Sequence, residues 1–180
     1  MPRVVRLRLE GEPDVMSDLM PQNGVLTLSP AAGRIVPGSN STAGGVVTGA
    51  AGEKFDGRTC KLGENSSLTG WHHPGDTISW KVRFPKDGRY RVFLRTESFA
   101  HSKPWCDDRV VRVSLGGTSR EVRMRNDRKV PHTVYARADS DCGVFEAVRG
   151  ETELAVTTVS SGPSAYPHCL TAVLLEKEGK

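Results

Sequence analysis

Short segments in which apolar and polar residues alternate recur along the chain of 180 residues, and Gly, Pro, Asn or Asp separates them. No stretch of useful length repeats its apolar residues with the period of a helix. Alternation with a period of two predicts β-strands that bury one face. The pattern predicts strands at Val4–Leu9, Val25–Leu28, Gly45–Thr48, Arg58–Leu62, Thr77–Phe84, Tyr90–Glu97, Arg109–Leu115, Arg120–Arg125, His132–Ala136, Gly143–Val148, Glu153–Val159 and Leu170–Glu176. Many short strands at regular spacing predict an all-β protein, a jelly-roll β-sandwich.

The segment from Thr77 to Phe84 shows the alternation most clearly. One of its faces carries Ile78, Trp80, Val82 and Phe84, whereas the other carries only Thr, Ser, Lys and Arg. Successive side chains of a strand point to opposite sides of the sheet, so the apolar set is expected in the core and the polar set in water. Trp80 is therefore predicted to be a core residue and not a binding platform.

Two turn sequences predict hairpins. Residues 85–88 read Pro-Lys-Asp-Gly, in which proline fixes φ and glycine accepts a positive φ. This turn predicts that Thr77–Phe84 pairs with Tyr90–Glu97. The glycine pair at 116–117 lies between two alternating segments, which is a strong signal for a two-residue hairpin.

Residues 1–22 fit the sandwich pattern less well than the rest of the chain. An alternating start, RVVRLRLE, is followed by GEPDVMSDLMPQNG, which is polar and interrupted by prolines. Residues 1–22 are therefore expected to form an N-terminal arm or edge strand, and residues 23–180 the β-sandwich domain.

The sequence leaves the cellular location open. No apolar run approaches the ~20 residues of a membrane-spanning helix, so no membrane span is expected. The first residues lack the apolar region of a secretory signal. The chain is then intracellular, or it is a piece of a larger secreted protein, for which an extracellular or periplasmic location is favoured. The four cysteines, Cys60, Cys106, Cys142 and Cys169, fit disulfides in the second case and buried free thiols in the first.

The formal net charge is +4 and the sequence pI is about 9.0. The positive charge is spread along the chain and forms no block, which favours a solvated surface over a dedicated nucleic-acid patch. No alternation of aromatic and basic residues resembles an RNA-binding sheet. No nucleic-acid partner is expected.

A set of fold markers lies between Gly63 and Ser98: a tryptophan before a polar turn, the pattern D-x-I-x-W, and the pattern G-x-Y-x-V. The residues are Trp71, Asp76, Ile78, Trp80, Gly88, Tyr90 and Val92. With the strand patterns on either side, from about Gly24 to Glu176, the chain resembles the carbohydrate-binding modules of the galactose-binding-domain-like superfamily. These are accessory β-sandwiches of fucosidases, sulfatases and other glycan-processing enzymes. The resemblance implies a non-catalytic module that binds glycan through its loops and can be tethered to an enzyme domain. It also implies that CGVFEAVRGETELAVTT forms two paired strands.

Many members of this superfamily bind a structural calcium ion through acidic residues of the first and last strands. In this chain Ser29-Pro30 stands in the first strand, and the last strand, CLTAVLL, contains no acid. A calcium ion needs several oxygen ligands. We therefore expect no metal and no cofactor.

Two loops offer the chemistry of a sugar site, in which an aromatic ring stacks on the sugar and polar side chains fix its hydroxyls. Strands fix the bases of such loops, so the site is expected at the loop end formed by residues 97–108 and 161–168. The candidate ligand-binding residues are Glu97, His101, Lys103, Trp105, Asp107, Tyr166 and His168. Trp105 is the candidate platform, with loop packing as the alternative. Lys103, or Arg95 nearby, favours an acidic glycan.

Other functions have weaker support in the sequence. The chain has no GxSxG, HExxH or Gly-rich phosphate loop, and no catalytic residue is predicted. Asp107 and Asp108 are adjacent, so on a strand their side chains point apart. His72 and His73 could join His101 and His168 at a metal only if the loops converge. The main alternative to glycan binding is a protein–protein interaction or structural domain, in which arginine-rich faces dock onto a neighbouring domain or an acidic partner.

Overall fold

The computed structural model describes residues 19–38, 47–48, 54–55, 60–63, 65–98, 105–132, 135–161 and 168–179. Its strands are β1 (Val25–Leu28), β2 (Arg34–Val36), β3 (Val47–Thr48), β4 (Lys54–Phe55), β5 (Lys61–Leu62), β6 (Leu68–Thr69), β7 (Thr77–Phe84), β8 (Gly88–Ser98), β9 (Val110–Leu115), β10 (Thr118–Arg123), β11 (Arg128–Val130), β12 (Arg137–Ala147), β13 (Gly150–Ser160) and β14 (His168–Lys177). A short 3-10 helix spans Pro30–Ala32. Within the described ranges, no helix is long and apolar enough to cross a membrane.

Two antiparallel sheets form a sandwich. The first sheet has the order β11-β12-β8-β14-β6-β5, with β1 also beside β14, and the second has the order β10-β9-β13-β7-β2. Strands β3 and β4 pair only with each other within the described residues. The prediction of a jelly-roll β-sandwich is confirmed.

The inner faces of the two sheets form the core, as the alternation predicts. Ile78, Trp80, Val82 and Phe84 are each at most 1% exposed. The Trp80 indole Nε1–H donates to the Ser29 carbonyl oxygen at 2.8 Å, so this large ring is buried without leaving its polar atom unsatisfied. Trp80 is a core residue, as predicted.

The predicted pairing of β7 with β8 is wrong. Strand β7 pairs with β13 and β2, whereas β8 lies in the other sheet between β12 and β14. The turn between them crosses from one sheet to the other, and the Phe84 and Tyr90 rings meet inside the sandwich with centroids 4.8 Å apart. The predicted pairing of β12 with β13 is wrong for the same reason, because each strand needs the opposite sheet to cover its apolar face.

The glycine hairpin is confirmed. Gly116 and Gly117 have φ of +57° and +82°, the left-handed conformation that a type I′ turn requires at both central positions. Leu115 then faces Thr118 across the paired strands β9 and β10.

One strand prediction fails, and the pattern does not predict four strands, β2, β4, β6 and β11. The described residues of the predicted strand His132–Ala136 lie outside strands, and the Tyr135 N–H donates to His132 Nδ1 at 3.0 Å. The strand of this region lies earlier, at β11, and Pro131, which follows it, has no N–H with which to continue the pairing. The other three strands have two or three residues each, too few to show a period.

The N-terminal region is only partly described. The predicted strand Val4–Leu9 lies outside the described residues. At residue 19 the chain already contacts the sandwich, because the Leu19 carbonyl oxygen accepts from the Arg83 N–H at 3.0 Å. The division into residues 1–22 and 23–180 stays a prediction.

Cys60 and Cys142 are buried free thiols, Cys169 is also buried, and Cys106 is half-buried. Burial raises the pKa of the Cys60 thiol to about 12. This thiol is therefore a small apolar group of the core.

The outer face of the first sheet carries a small apolar cluster of Phe93, Ala172 and Leu174. The Arg128 guanidinium lies 4.2 Å from the centre of the Phe93 ring and covers it. Arg128 Nε donates to Oδ2 of the fully buried Asp139 at 2.8 Å, which fixes the position of the guanidinium. An ionic network therefore shields apolar side chains on a face that alternation alone assigns to water.

Candidate functional site

The predicted ligand-binding residues that the structure describes, Glu97, Trp105, Asp107 and His168, lie at one end of the sandwich, where β8 ends and β14 begins. Ser98 pairs with His168, and Glu97 with Cys169. Trp105 lies at the same end, beside His168. We call this region the loop end. His101, Lys103 and Tyr166 lie outside the described residues.

Arg109 joins three segments of the loop end. Its guanidinium donates to the Trp71 carbonyl oxygen at 2.8 Å and to the His168 carbonyl oxygen at 3.2 Å, and it forms an ion pair with Asp107. It also lies 4.1 Å from the centre of the Trp71 ring. We call this arrangement of Arg109, Asp107, Trp71 and His168 the Arg109 clamp. It fixes the bases of the loops that surround it.

Asp107 is the anion of the clamp. Its side chain is fully buried, and its two carboxylate oxygens accept from Arg109 Nε at 2.9 and 3.1 Å. Burial of the carboxyl would raise its pKa, but the Arg109 guanidinium outweighs burial and holds the pKa below its ordinary value. Asp107 is thus an ionised group that is already paired within the chain.

Trp105 lies beside His168 on the inner side of the first sheet. Its indole Nε1–H donates to Thr96 Oγ1 at 3.0 Å, and its ring is half-buried against the core. The ring meets His168 edge-on, with centroids 5.5 Å apart, and His168 Nε2 accepts from the Cys106 N–H at 3.3 Å. These contacts fix the orientation of the tryptophan ring, and its stacking role stays a prediction.

Glu97 is separated from Trp105 by the sheet itself. Thr96 points inward to Trp105, so the alternation of β8 directs Glu97 to the outer face. Its carboxylate, 6% exposed, accepts from Arg137 Nη2 at 2.5 Å and from Nε at 3.1 Å. Of the predicted residues that are described, Trp105, Asp107 and His168 therefore lie together on the inner side of the first sheet. Glu97 lies on its outer face.

Asp76 organises the neighbouring turn of the loop end. Its carboxylate is buried and accepts from the Gly38 N–H at 2.9 Å and from the His73 N–H at 2.8 Å. Its backbone pairs with Thr158 of β13, whose Oγ1 donates to the Trp71 carbonyl oxygen at 3.2 Å. This turn connects the Arg109 clamp to the second sheet.

Arg109 is not among the candidate residues above, although the alternation before β9 indicates that it is buried. Arg109 is an even number of residues from Val111, Val113 and Leu115, so it lies on the same face. These three residues are all buried on the inner face of β9. Alternation therefore places an arginine in the interior, where it needs a carboxylate partner. Asp107, two residues earlier, is that partner.

His72 is expected to make the fold sensitive to acid. Burial of the ring, followed by the nearby His73 and Arg109, lowers the pKa of His72 from 6.5 to about 4, and its Nε2 is buried without a hydrogen-bond partner. The unfolded chain then binds a proton at higher pH than the folded one. The free energy of unfolding should therefore be highest above pH 6.5 and should fall by about 1–2 kcal/mol towards pH 4. This loss is smaller than the full pKa shift of His72 implies, because the ring is half-buried.

Denaturant titrations between pH 7 and pH 4 measure this loss. His72→Gln should flatten the pH dependence, whereas His132→Gln, at an exposed histidine, should leave it unchanged. An unchanged slope in His72→Gln would assign the loss to another group. Asp107, whose pKa the Arg109 guanidinium holds below its ordinary value, should add a further loss below about pH 3.9.

Within the described part of the chain, no three His, Cys, Asp or Glu side chains lie close enough together to hold a metal ion. At the position of the superfamily's first acidic ligand, Ser29 instead accepts from the Ala31 N–H at 3.2 Å and caps the short helix. This serine has a structural role.

No protein-family model and no curated protein matches the sequence. Several solved structures have a similar fold. A GH26-CBM35 β-(1,4)-mannanase from Podospora anserina has a TM-score of 0.49 at 13% identity, over 88% of this chain and 29% of that chain. A family 35 carbohydrate-binding module from Clostridium thermocellum has 0.46 at 15%, over 83% and 96%. The mosquito-larvicidal Cry4Aa toxin from Bacillus thuringiensis has 0.49 at 10%, over 87% and 24%.

The chain spans less than a third of the mannanase and the toxin, and nearly all of the isolated module. Structural similarity at sequence identities this low describes the fold alone.

Proposed function

We propose that this chain is a non-catalytic carbohydrate-binding module that holds a glycan at the loop end. The observation that carries the proposal is the Arg109 clamp, which fixes the bases of the surrounding loops and lies next to an oriented tryptophan. A binding site needs side chains that are held before the ligand arrives. The sequence resemblance to carbohydrate-binding modules supports the same function.

Binding would combine stacking and hydrogen bonds. The face of the Trp105 ring would pack on the apolar side of a sugar ring, while His101, Lys103 and Tyr166 of the flanking loops would bond to its hydroxyls. His168 is 2% exposed and has a partner within the chain, so it would orient the tryptophan ring. Glu97 and Asp107 have partners within the chain, so their role at a ligand would be to support these loops.

Preference for an acidic glycan would depend on Lys103. Arg95, the other candidate, donates to Asp139 at 2.7 and 3.0 Å on the outer face of the first sheet, where its charge is neutralised. Binding of an acidic glycan through Lys103 should weaken with added salt.

A module without chemistry of its own can act by concentrating an attached enzyme on its substrate. We propose this accessory role in a larger glycan-processing protein. Titration of neutral and acidic oligosaccharides, alongside turnover assays on glycosides and esters, tests it. Saturable binding without turnover is the expected result. Turnover on any of these substrates, or no binding across the panel, would contradict it.

Trp105→Ala is expected to weaken binding of the best glycan by about 1–3 kcal/mol, roughly 5- to 150-fold, as for other ligands stacked on an aromatic ring. Trp105→Phe is the matched control, because it keeps a ring and also loses the bond to Thr96. The loss should therefore be much smaller with phenylalanine. Equal losses in the two variants would assign the effect to the Thr96 contact and not to stacking.

A further inference from the structure

Strand β10 forms an edge of the second sheet and presents unpaired backbone groups. In a two-residue hairpin the residues flanking the turn, Leu115 and Thr118, form a hydrogen-bonded pair, and bonded pairs then alternate along the strands. The bond from the Met124 N–H to the Arg109 carbonyl oxygen, at 2.8 Å, continues this alternation. The residues between the bonded pairs direct their N–H and C=O groups away from β9. These residues are Ser119, Glu121 and Arg123.

Just beyond one end of this edge, at Arg125, the outward backbone groups have partners within the chain. The Arg125 N–H donates to Ser140 Oγ at 3.1 Å, and Ser140 Oγ–H donates to the Arg125 carbonyl oxygen at 2.7 Å. One serine of β12 thus satisfies both outward groups of Arg125. Within the described residues, nothing pairs in this way with Ser119, Glu121 or Arg123.

A cleft of about 520 Å³ lies beside the open edge, between β10 and a bulge in β12. Its lining residues come from β10, from the segment that follows it and from β12: Glu121, Val122, Arg123, Arg125, Asp127, Asp141, Cys142 and Gly143. A strand paired with β10 would direct alternate side chains to opposite faces of the sheet, and one set would enter this cleft.

Positive charges outnumber negative ones along β10 and the two residues after it. Arg125 has no carboxylate within 4 Å among the described residues, Arg120 lies over the Phe145 ring, and Arg123 is 3.9 Å from Asp108. The acid of β10 is engaged elsewhere. Arg112 donates to Glu121 at 2.6 Å.

The two aspartates of the cleft differ in their partners. Arg91 donates to Asp141 at 2.6 Å, whereas Asp127 accepts from the Asp141 backbone N–H at 2.8 Å and keeps its charge. Among the described residues, Arg120 and Arg125 are therefore the guanidinium groups of the edge without a carboxylate partner, against one such acid, Asp127.

We propose that the β10 edge binds an extended, acidic segment of a partner protein, which adds a strand to the second sheet. A peptide strand supplies N–H and C=O groups at the two-residue spacing of Ser119, Glu121 and Arg123, and alternate acidic side chains would reach the arginines. A second copy of β10 fits poorly, because residues 118–125 carry three arginines and one glutamate and would repel their own kind.

The test uses the full chain and two capped hexapeptides, (Glu-Val)3 and (Lys-Val)3. The acidic peptide should bind roughly tenfold or more tightly than the basic one, and the difference should shrink with added salt. It should also slow hydrogen exchange at the amides of Ser119, Glu121 and Arg123, which are open to water without the peptide. Equal affinity of the two peptides, or self-association of the free protein through this edge, would overturn the proposal.

A matched pair of variants tests the backbone bonds. Glu121→Pro removes one outward N–H, and proline is tolerated at an edge position that makes no ladder bond. Glu121→Ala removes the same side chain and keeps the N–H. Binding of (Glu-Val)3 should be roughly fivefold weaker with proline than with alanine, the effect of about one backbone hydrogen bond. Equal affinity in the two variants, with both folded, would overturn the proposal.

Discussion

Replacing Arg109 with methionine should lower the free energy of unfolding by about 3–5 kcal/mol, the cost of breaking a buried ion pair from one side. Methionine fills much of the space but leaves the fully buried Asp107 carboxylate without its cation. It also removes the donors to the Trp71 and His168 carbonyl oxygens. The bases of the loops then lose their common anchor.

Chemical denaturation at neutral pH measures the change. Arg112→Met, on the same strand, is the matched control, because Arg112 is exposed and its ion pair with Glu121 should contribute at most about 1 kcal/mol. Adding Asp107→Leu to Arg109→Met should recover part of the loss, since the double variant has no buried charge. Equal effects of Arg109→Met and Arg112→Met would show that the clamp does not stabilise the fold.

Replacing Trp71 with alanine should cost about 3–5 kcal/mol, as for other large aromatic residues of a core. Trp71 is 1% exposed, its Nε1–H donates to the His168 carbonyl oxygen at 2.8 Å, and its ring lies against Arg109. Trp71→Phe should cost about 1–2 kcal/mol, because it keeps a ring and loses the hydrogen bond.

The Trp71 and Arg109 variants should not be additive. The ring and the guanidinium are in contact and share the His168 carbonyl oxygen as acceptor. A double-mutant cycle should therefore give a coupling energy of about 0.5–3 kcal/mol. Costs that add exactly would mean that Trp71 and the Arg109 ion pair stabilise the fold independently.

The alternation of the sequence predicts which side chains are buried, but it does not predict which strands pair. All four apolar residues of β7 lie in the core as expected. The turn after Phe84 has the chemistry of a hairpin, yet it connects opposite sheets. Proline, aspartate and glycine permit a sharp turn in either case, and the choice depends on the distant partners β13 and β14. Local sequence does not contain that information.

The candidate site was predictable as a region and less so in its details. Strand ends placed Trp105 and His168 at the same end, and the structure brings their rings within 5.5 Å. The internal partners of Asp107 and Glu97 were not predicted, because each depends on a buried or half-buried arginine. Arginine is usually a surface residue. An arginine in an apolar pattern predicts a buried ion pair only when its carboxylate partner can be identified as well.

The most direct test of glycan binding at the loop end is an NMR titration of the folded chain with the oligosaccharide that binds best. We expect the largest backbone amide shifts at Trp105–Asp108 and at His168–Cys169, and nearly unchanged amide signals from Arg91, Phe93 and Arg95 on the outer face of β8. Largest shifts at these three residues, with the loop end unchanged, would place the glycan on the outer sheet face and rule out a site at the loop end.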